Sequence, residues 1–336
     1  MISVVVPAYN EEQGVEELYR RVSAAGDGWN DDWELVVVDD GSKDRTLLLL
    51  ERIAAADERV RVVALSRNFG HQVALTAGLQ HAAGDIVCVI DADLQDPPEE
   101  LGKFIAKVQD GYDVVYAIRT KRKEGMLKRL AYHLYYRILR RLATLDIPLD
   151  AGDFCVMRRE VVDALNQLPE RNRFVRGLRT WVGYRQTGMA YERSARYAGE
   201  PKYTLGKLLR LAMDGVVNFS YRPLQAIMFL GVTVGALALC VGAVVLFQYV
   251  TDTAIAGYNP RAARGWTSLM MVMLSLAAIN MFCLGILGEY MGRLFEETKR
   301  RPIYLVKKRI GFDGTRIAPD WAPEEESLRG VAGGVR

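Results

Sequence analysis

Two stretches of this 336-residue chain contain no Asp, Glu, Lys or Arg: Leu224 to Thr251 and Gly265 to Gly288. A soluble helix of such length carries polar residues on its outer face, so the absence excludes an ordinary amphipathic pair. Each run exceeds the roughly 20 residues needed to cross a bilayer core. Membrane spans are therefore expected at about 224–250 and 267–290.

Cysteine is scarce. Cys88, Cys155, Cys240 and Cys283 form no C-x-x-C motif and lie mostly in apolar runs, so reduced packing residues are expected rather than a disulfide scaffold. Histidine is scarcer still: His71, His81 and His133 lie far apart and show no ligand spacing, which argues against a His/Cys metal centre. A strong net charge is also missing, and the formal +3 provides no global attraction to nucleic acid. The N-terminal MISVVVPAYN lacks a basic n-region and a cleavage site, so it does not read as a signal peptide.

The charges that are present flank the apolar runs. Arg222 precedes the first, and Arg293, Lys299, Arg300 and Arg301 follow the second. Arg261 and Arg264 in the connector oppose them but are outnumbered, which predicts both ends in the cytoplasm. The expected organisation is a cytoplasmic domain over 1–220, a two-helix anchor over 221–295 and a cytoplasmic tail over 296–336. Beyond Phe312 that tail is polar and Gly-rich, the composition of a flexible segment.

Residues 1–117 alternate two patterns. ISVVVPAY, WELVVVDDGS, VRVVALS, DIVCVID and YDVVYAIR read as strands, separated by the helical NEEQGVEELYRRVSAA, TLLLLERIAAA, VALTAGLQHAAG and PPEELGKFIAKVQDG. Near-continuous apolar strands between helices predict an α/β domain with a mostly parallel sheet covered on both faces. Residues 120–145 place Leu127, Leu130, Leu134, Ile138 and Leu142 among Lys128, Arg129, Arg137, Arg140 and Arg141, the pattern of a basic amphipathic helix at a membrane surface. A core helix with a solvated basic face is the alternative.

The chemistry concentrates in VIDADLQDPPEE. Asp91 and Asp93 follow the apolar run directly, although burying an unpaired carboxylate is very costly. An acid-x-acid pair at a strand end can serve one hard cation, because Mg²⁺ and Mn²⁺ use one or two carboxylates plus substrate phosphates. Gln95 can add a neutral oxygen. A polar turn before a helix that favours acids at its start is the plainer alternative. Tyr9-Asn10-Glu11 and Asp39-Asp40 lie at the carboxyl ends of neighbouring strands, where such sheets bind ligands.

SVVVPAYNEE, VVVDDGSKDRT, LSRNFGHQVALTAGL and DADLQDPPEEL together resemble the inverting family 2 glycosyltransferases of the GT-A fold. DAGDFCVMRRE, RFVRGLRTWVGY, GEPKYTLGKL and LGILGEYMGRLFEETKRRPIY are similar to the polyprenyl-phosphate glycosyltransferases, the group of dolichol-phosphate mannose and bactoprenol-phosphate glucose synthases. The likeness runs from Ile2 to about Val306, and the two-span tail most resembles the bacterial bactoprenol-glucose type.

The resemblance implies a Rossmann-like catalytic domain with interfacial amphipathic helices, followed by two transmembrane helices. Pro7, Tyr9, Asn10 and Glu11 would line the nucleotide pocket, Asp39 and Asp40 would hold base and ribose, and Asp91 and Ala92 would complete the nucleotide-sugar contacts. Asp91, Asp93 and Gln95 would bind Mg²⁺ or Mn²⁺, with Asp93 also counted as catalytic. Arg119 and Arg129 would face the phosphates at the membrane, and Asp150 or Asp153 would be the acceptor-side acid. Arg196 and Lys202 match a basic pair on a loop that closes over the phosphates. That loop usually reads Ser-Lys-Tyr; here Pro201-Lys202-Tyr203 stands instead, and proline stiffens it. Arg176, in RNRFVRGLRTW with Arg173 and Arg179, is a candidate phosphate or headgroup contact, against the alternative of a solvated face.

The implied activity is metal-dependent, inverting transfer from a nucleotide sugar, UDP-glucose favoured, to undecaprenyl phosphate, for cell-envelope glycan modification. The implied setting is a bacterial inner membrane, with multiple passes and a homo-oligomeric state. Two rivals are a processive polysaccharide synthase and an inactive sugar-nucleotide-binding scaffold. RGLRTW lacks the glutamine of the synthases' Q-x-x-R-W motif and two spans cannot enclose a pore, while intact Asp91, Asp93, Arg119 and Lys202 argue against the scaffold.

Overall fold

The computed structural model describes residues 1–119, 151–171, 173–191, 222–251 and 265–312. Contacts divide the chain into two compact units, one formed by 1–133, 145–203 and 300–336, the other by 134–144 and 204–299. The expected interfacial helix over 120–145 lies outside the described residues, as do Arg129, Asp150, Arg196 and Lys202.

The first unit is built on one eight-stranded sheet: β1 (Ile2–Ala8), β2 (Trp33–Asp39), β3 (Val60–Leu65), β4 (Ile86–Val89), β5 (Val114–Arg119), β6 (Ala151–Arg158), β7 (Gln186–Tyr191) and β8 (Val306–Ile310). Their order across the sheet is β7-β5-β6-β4-β1-β2-β3-β8. The β1–β2, β2–β3, β1–β4 and β5–β7 pairs are parallel, whereas β6 runs antiparallel to β4 and β5, and β8 antiparallel to β3. This is the mostly parallel α/β sheet predicted.

β1 and β2 sit near the centre because every residue in both is buried, which only apolar, β-branched-rich sequences tolerate. Burying each of the Val side chains at 4, 5 and 6 contributes roughly 1.5–3 kcal/mol relative to exposure. Helices α1 (Val15–Gly26), α2 (Thr46–Ala56), α3 (His71–His81), α4 (Leu101–Gln109), α5 (Arg159–Gln167) and α6 (Val175–Trp181) belong to the same unit. Helix α3 packs tightly on β1, since a Cβ at Gly78 would fall 2.3 Å from Val5 Cγ1.

β8 is a strand the sequence pattern concealed. VKKRI carries three basic residues in a row, and an edge strand exposing charge does not alternate like an interior one. Tyr304, just before it, is buried and donates its hydroxyl to Gln80 Oε1 at 2.5 Å, tying the returning chain to α3.

The second unit contains α7 (Arg222–Thr251) and α8 (Trp266–Thr298), which pack against each other. The first contains the whole Leu224–Thr251 run and begins two residues before it, and the second covers all but Gly265 of its run and continues ten residues past Gly288. Their apolar side chains face outward, with Leu239 77% and Phe282 67% exposed. A soluble core helix would bury those groups, so these are two candidate membrane-spanning helices.

Gly78→Val should destabilise the first unit by about 1–3 kcal/mol through overpacking against Val5. Chemical unfolding of the detergent-purified protein reads this out, and unchanged stability would refute the tight α3–β1 approach.

Candidate active site

The carboxyl ends of β1, β2 and β4 lie side by side, because Ala8 pairs with Asp39 and Asp40 N donates to Ala8 O at 2.9 Å. The loop after β1 is stitched to the loop after β2. Asn10 N donates to Ser42 Oγ at 3.0 Å, Lys43 N donates to Asn10 Oδ1 at 2.8 Å, and Glu11 N donates to Thr46 Oγ1 at 2.8 Å. Asn10 has φ 53°, a left-handed conformation that Asn accepts more readily than most residues. Pro7 is buried within β1, and Tyr9 is half-buried at the edge beside it.

Asp39 and Asp40 are both buried, and burial raises the pKa of each. Asp39 accepts Ser42 N at 3.3–3.4 Å. Both oxygens of Asp40 are occupied from within the protein, Oδ1 by Phe69 N at 2.7 Å and Oδ2 by Gly70 N at 2.9 Å. Asp40 thus fixes the turn that launches α3.

The β4 loop carries Asp91, buried Ala92, Asp93 and Gln95. Gln95 N donates to Asp93 Oδ1 at 3.1 Å. Leu94 has φ 57°, a conformation costing roughly 1–3 kcal/mol for a residue with a Cβ, and it persists where surroundings enforce it. Here the enforcement comes from both sides of the turn. Leu94 itself is buried in the core, and the carboxylate of buried Asp96 accepts the hydroxyl of Tyr191 at the end of β7.

Opposite this loop, β6 presents Asp153. Gln72 Nε2 donates to its Oδ2 at 3.1 Å, His71 Nε2 lies 3.5 Å from the same oxygen, and Arg176 Nη2 lies 3.4 Å from Oδ1. His71 Nε2 is also 3.6 Å from Asp91 Oδ1, so one imidazole spans the two carboxylates. Burial alone would raise the pKa of Asp153, but the Arg176 charge and the His71 hydrogen bond, helped by Arg179, hold it well below the usual carboxylate range. Asp91 is pushed up to about 6, mainly by burial and further by Asp96, Asp153 and Asp93, against the opposing pull of His71. For His71, burial works downward, yet the Asp153 hydrogen bond and both neighbouring carboxylates push it up to about 9.

Asp91 Oδ1 is buried and accepts no hydrogen bond from the described residues. An open buried carboxylate oxygen two residues from a second carboxylate suits a hard divalent cation. Among the described residues, no three His, Cys, Asp or Glu side chains already surround one point. The protein therefore offers part of a coordination shell, to be completed by oxygens from elsewhere.

Of the residues singled out in the sequence, the structure brings Asp91, Asp93, Asp153 and Arg176 around one region. Arg119 closes β5 opposite Tyr191 in register. His71, Gln72, Asp96 and Tyr191 were not expected there. Their signal was available in part: LSRNFGHQ follows β3 just as the acidic stretches follow β2 and β4, at the same edge.

Residues 3–165 match the glycosyl transferase family 2 model. The uncharacterized glycosyltransferase YkcC of Bacillus subtilis is 43% identical over 320 residues, spanning 95% of this chain and 97% of the relative. The bactoprenol glucosyl transferase of Shigella phage SfX is 39% identical over 309 residues, spanning 92% and 99%. This chain is a family 2 polyprenyl-phosphate glycosyltransferase. Glucosyl-3-phosphoglycerate synthase from Mycobacterium tuberculosis is a weaker structural match, 25% identical with a TM-score of 0.44 over 65% of this chain and 78% of that one. The transferase's family match contains Asp91, Asp93 and Asp153, while Arg176 lies beyond it.

Arg176→Ala in this transferase should cost about 1–3 kcal/mol, less than for a fully buried pair because Arg176 keeps 27% exposure. The sign with pH follows from the lowered Asp153: its contribution is present above the ordinary carboxylate pKa and is lost as pH falls below it toward the folded value. Unfolding curves should thus separate variant from wild type at neutral pH and converge toward acid. A constant gap down to acid pH would contradict the pairing.

Proposed function

We propose that this transferase moves glucose from UDP-glucose to undecaprenyl phosphate at the cytoplasmic face of a bacterial membrane. The observation that carries the proposal is the meeting of two chemistries at one sheet edge. Asp91 and Asp93 offer carboxylates to a cation, and within one imidazole's reach Asp153 and Arg176 offer an ion pair to an anion. Both substrates are anionic, so a carboxylate edge on its own would repel them. Mg²⁺ or Mn²⁺ held by Asp91 and Asp93, with Gln95 as a further oxygen, would neutralise the diphosphate leaving group as a Lewis acid.

The remaining chemistry asks little of a base. A polyprenyl phosphate is already an anionic nucleophile near neutral pH, unlike a sugar hydroxyl. One phosphate oxygen attacks the anomeric carbon, the bond from that carbon to the diphosphate oxygen breaks, and UDP leaves with the electron pair. This single displacement inverts the anomeric centre. Asp153, held ionised, orients the acceptor through Arg176 rather than removing a proton, and arginine binds phosphate by charge-assisted hydrogen bonds. Arg119, Arg129, Arg196 and Lys202 are proposed to serve the phosphates in the same way, and Tyr9, Asn10, Glu11 and Asp39 to face the nucleotide.

Chain connectivity supports a two-pass membrane topology. The chain leaves the sheet after β7, passes through α7 and α8, and returns to the same sheet as β8. Two crossings bring it back to the side it left. Arg222 before the spans and Lys299, Arg300 and Arg301 after them support a cytoplasmic assignment for that side.

Purified protein in nanodiscs with Mn²⁺, radiolabelled UDP-glucose and undecaprenyl phosphate should yield labelled lipid. Asp93→Ala should lower turnover by at least about 100-fold while the fold is retained. Labelled polymer instead of lipid-linked monosaccharide, or full activity in Asp93→Ala, would refute the proposal. For topology, Lys308→Cys should react with a membrane-impermeant maleimide in inverted vesicles and stay unlabelled in intact cells. Labelling of intact cells would reverse the orientation.

A further inference from the structure

Gln72, the second residue of α3, is engaged at both ends of its amide. Nε2 donates to Asp153 Oδ2 at 3.1 Å, and Oε1 accepts from Val175 N at 2.8 Å. The residue after Val175 is Arg176, whose Nη2 lies 3.4 Å from the other oxygen of Asp153. These contacts close a ring from Gln72 to Asp153, to Arg176, and back through Val175. Only one amide orientation serves, since the reverse would set a carbonyl against a carboxylate and an NH₂ against an N–H. The segment delivering Gln72 is fixed in turn, because Phe69 N and Gly70 N donate to Asp40. His71 lies over the same oxygen, 3.5 Å from Asp153 Oδ2.

We propose that Gln72, assisted by His71, is the positioning residue that holds the Asp153 carboxylate and the start of α6 in the orientation needed to receive the acceptor phosphate. The proposal rests on the reading of Asp153 as the acceptor-side acid. Gln72 acts through Asp153 and α6, since one end of its amide holds the Asp153 carboxylate and the other holds Val175 N. A carboxylate hydrogen-bonded on one oxygen by an amide, with a guanidinium ion-paired 3.4 Å from the other, is restrained in its orientation, and Arg176 is drawn to the same place. A mere structural pin between α3, β6 and α6 would behave differently: its loss would lower stability without a selective effect on turnover.

The test compares wild type, Gln72→Ala, Gln72→Glu and Asp153→Asn in nanodiscs. Assays use undecaprenyl phosphate, Mn²⁺ and whichever of UDP-glucose, UDP-galactose and GDP-mannose turns over fastest. Gln72→Glu keeps the side chain's size and an acceptor for Val175 N, but sets a second carboxylate against Asp153. Turnover in Gln72→Ala should fall between about 10-fold and 100-fold, and further in Gln72→Glu, with donor KM within about two-fold of wild type. The thermal midpoint of Gln72→Glu should change far less than its turnover. Wild-type turnover in both Gln72 variants overturns the proposal alone, provided Asp153→Asn is impaired. A raised donor KM at unchanged kcat also overturns it, by placing Gln72 in the donor pocket. Full turnover in Asp153→Asn overturns the acceptor-side reading and the proposal together.

Discussion

The constraint on which the site depends is the cost of holding carboxylates at the buried end of a sheet. Asp91 and Asp153 face each other across β4 and β6, neighbouring antiparallel strands. Two such groups in low dielectric would repel and take up protons unless cations or hydrogen-bond donors intervene. The protein meets the demand unequally. Asp153 receives Arg176, Gln72 and His71 and is held ionised, while among the described residues Asp91 has His71 alone as a cationic partner and is pushed up to about 6. Among the described residues neither Oδ1 accepts a hydrogen bond, but Asp153 Oδ1 faces the Arg176 guanidinium at 3.4 Å whereas Asp91 Oδ1 faces the His71 imidazole at 3.6 Å, which leaves Asp91 the more open to a cation.

Much of the surrounding architecture serves that inequality. Helix α6 must begin where Arg176 reaches Asp153, and α3 must begin where His71 and Gln72 reach it too. The start of α3 depends on Asp40, whose oxygens both bind the turn before it. On the other side, Tyr191 from β7 secures Asp96 and thereby the left-handed turn at Leu94 that carries Asp91 and Asp93 outward. Three loops from separate parts of the chain are thus held by side-chain-to-backbone and side-chain-to-side-chain bonds, with rigid strands behind them. A preorganised site of this kind spares reorganisation at the moment of transfer.

In the proposed reaction an anionic nucleophile and an anionic leaving group account for the pairing of acids with arginines better than acid–base catalysis does. A base strong enough to take a proton from a sugar hydroxyl is unnecessary when the acceptor is a phosphate. Accordingly, Asp153 is tuned away from proton exchange, in the direction that suits a permanently charged anchor. The apolar α7–α8 pair suits the lipid acceptor proposed above, since it provides a long outward-facing hydrocarbon surface on the same chain.

The first five strands, the helices between them, both apolar spans and the acid pair after β4 were legible in the sequence. Each follows from local physics: β-branched runs, helical periodicity, absence of charge, and the intolerance of strand interiors for carboxylates. β8 was hidden, because VKKRI is a basic edge strand recognisable only by the partner it adopts, Val62 to Leu65. His71 was hidden for a related reason. Histidines scattered along a chain show no ligand spacing, and nothing local says that residue 72 will bond one 81 positions later. Asp39 and Asp40 read as equivalent ligands in sequence, yet folding commits both oxygens of Asp40 to the turn before α3. The sequence by itself determined which elements form and which chemistry their ends can offer. Tertiary structure alone decided which acids are satisfied and which stay open, because burial, charge pairing and hydrogen-bond closure depend on segments that meet only when the sheet is assembled.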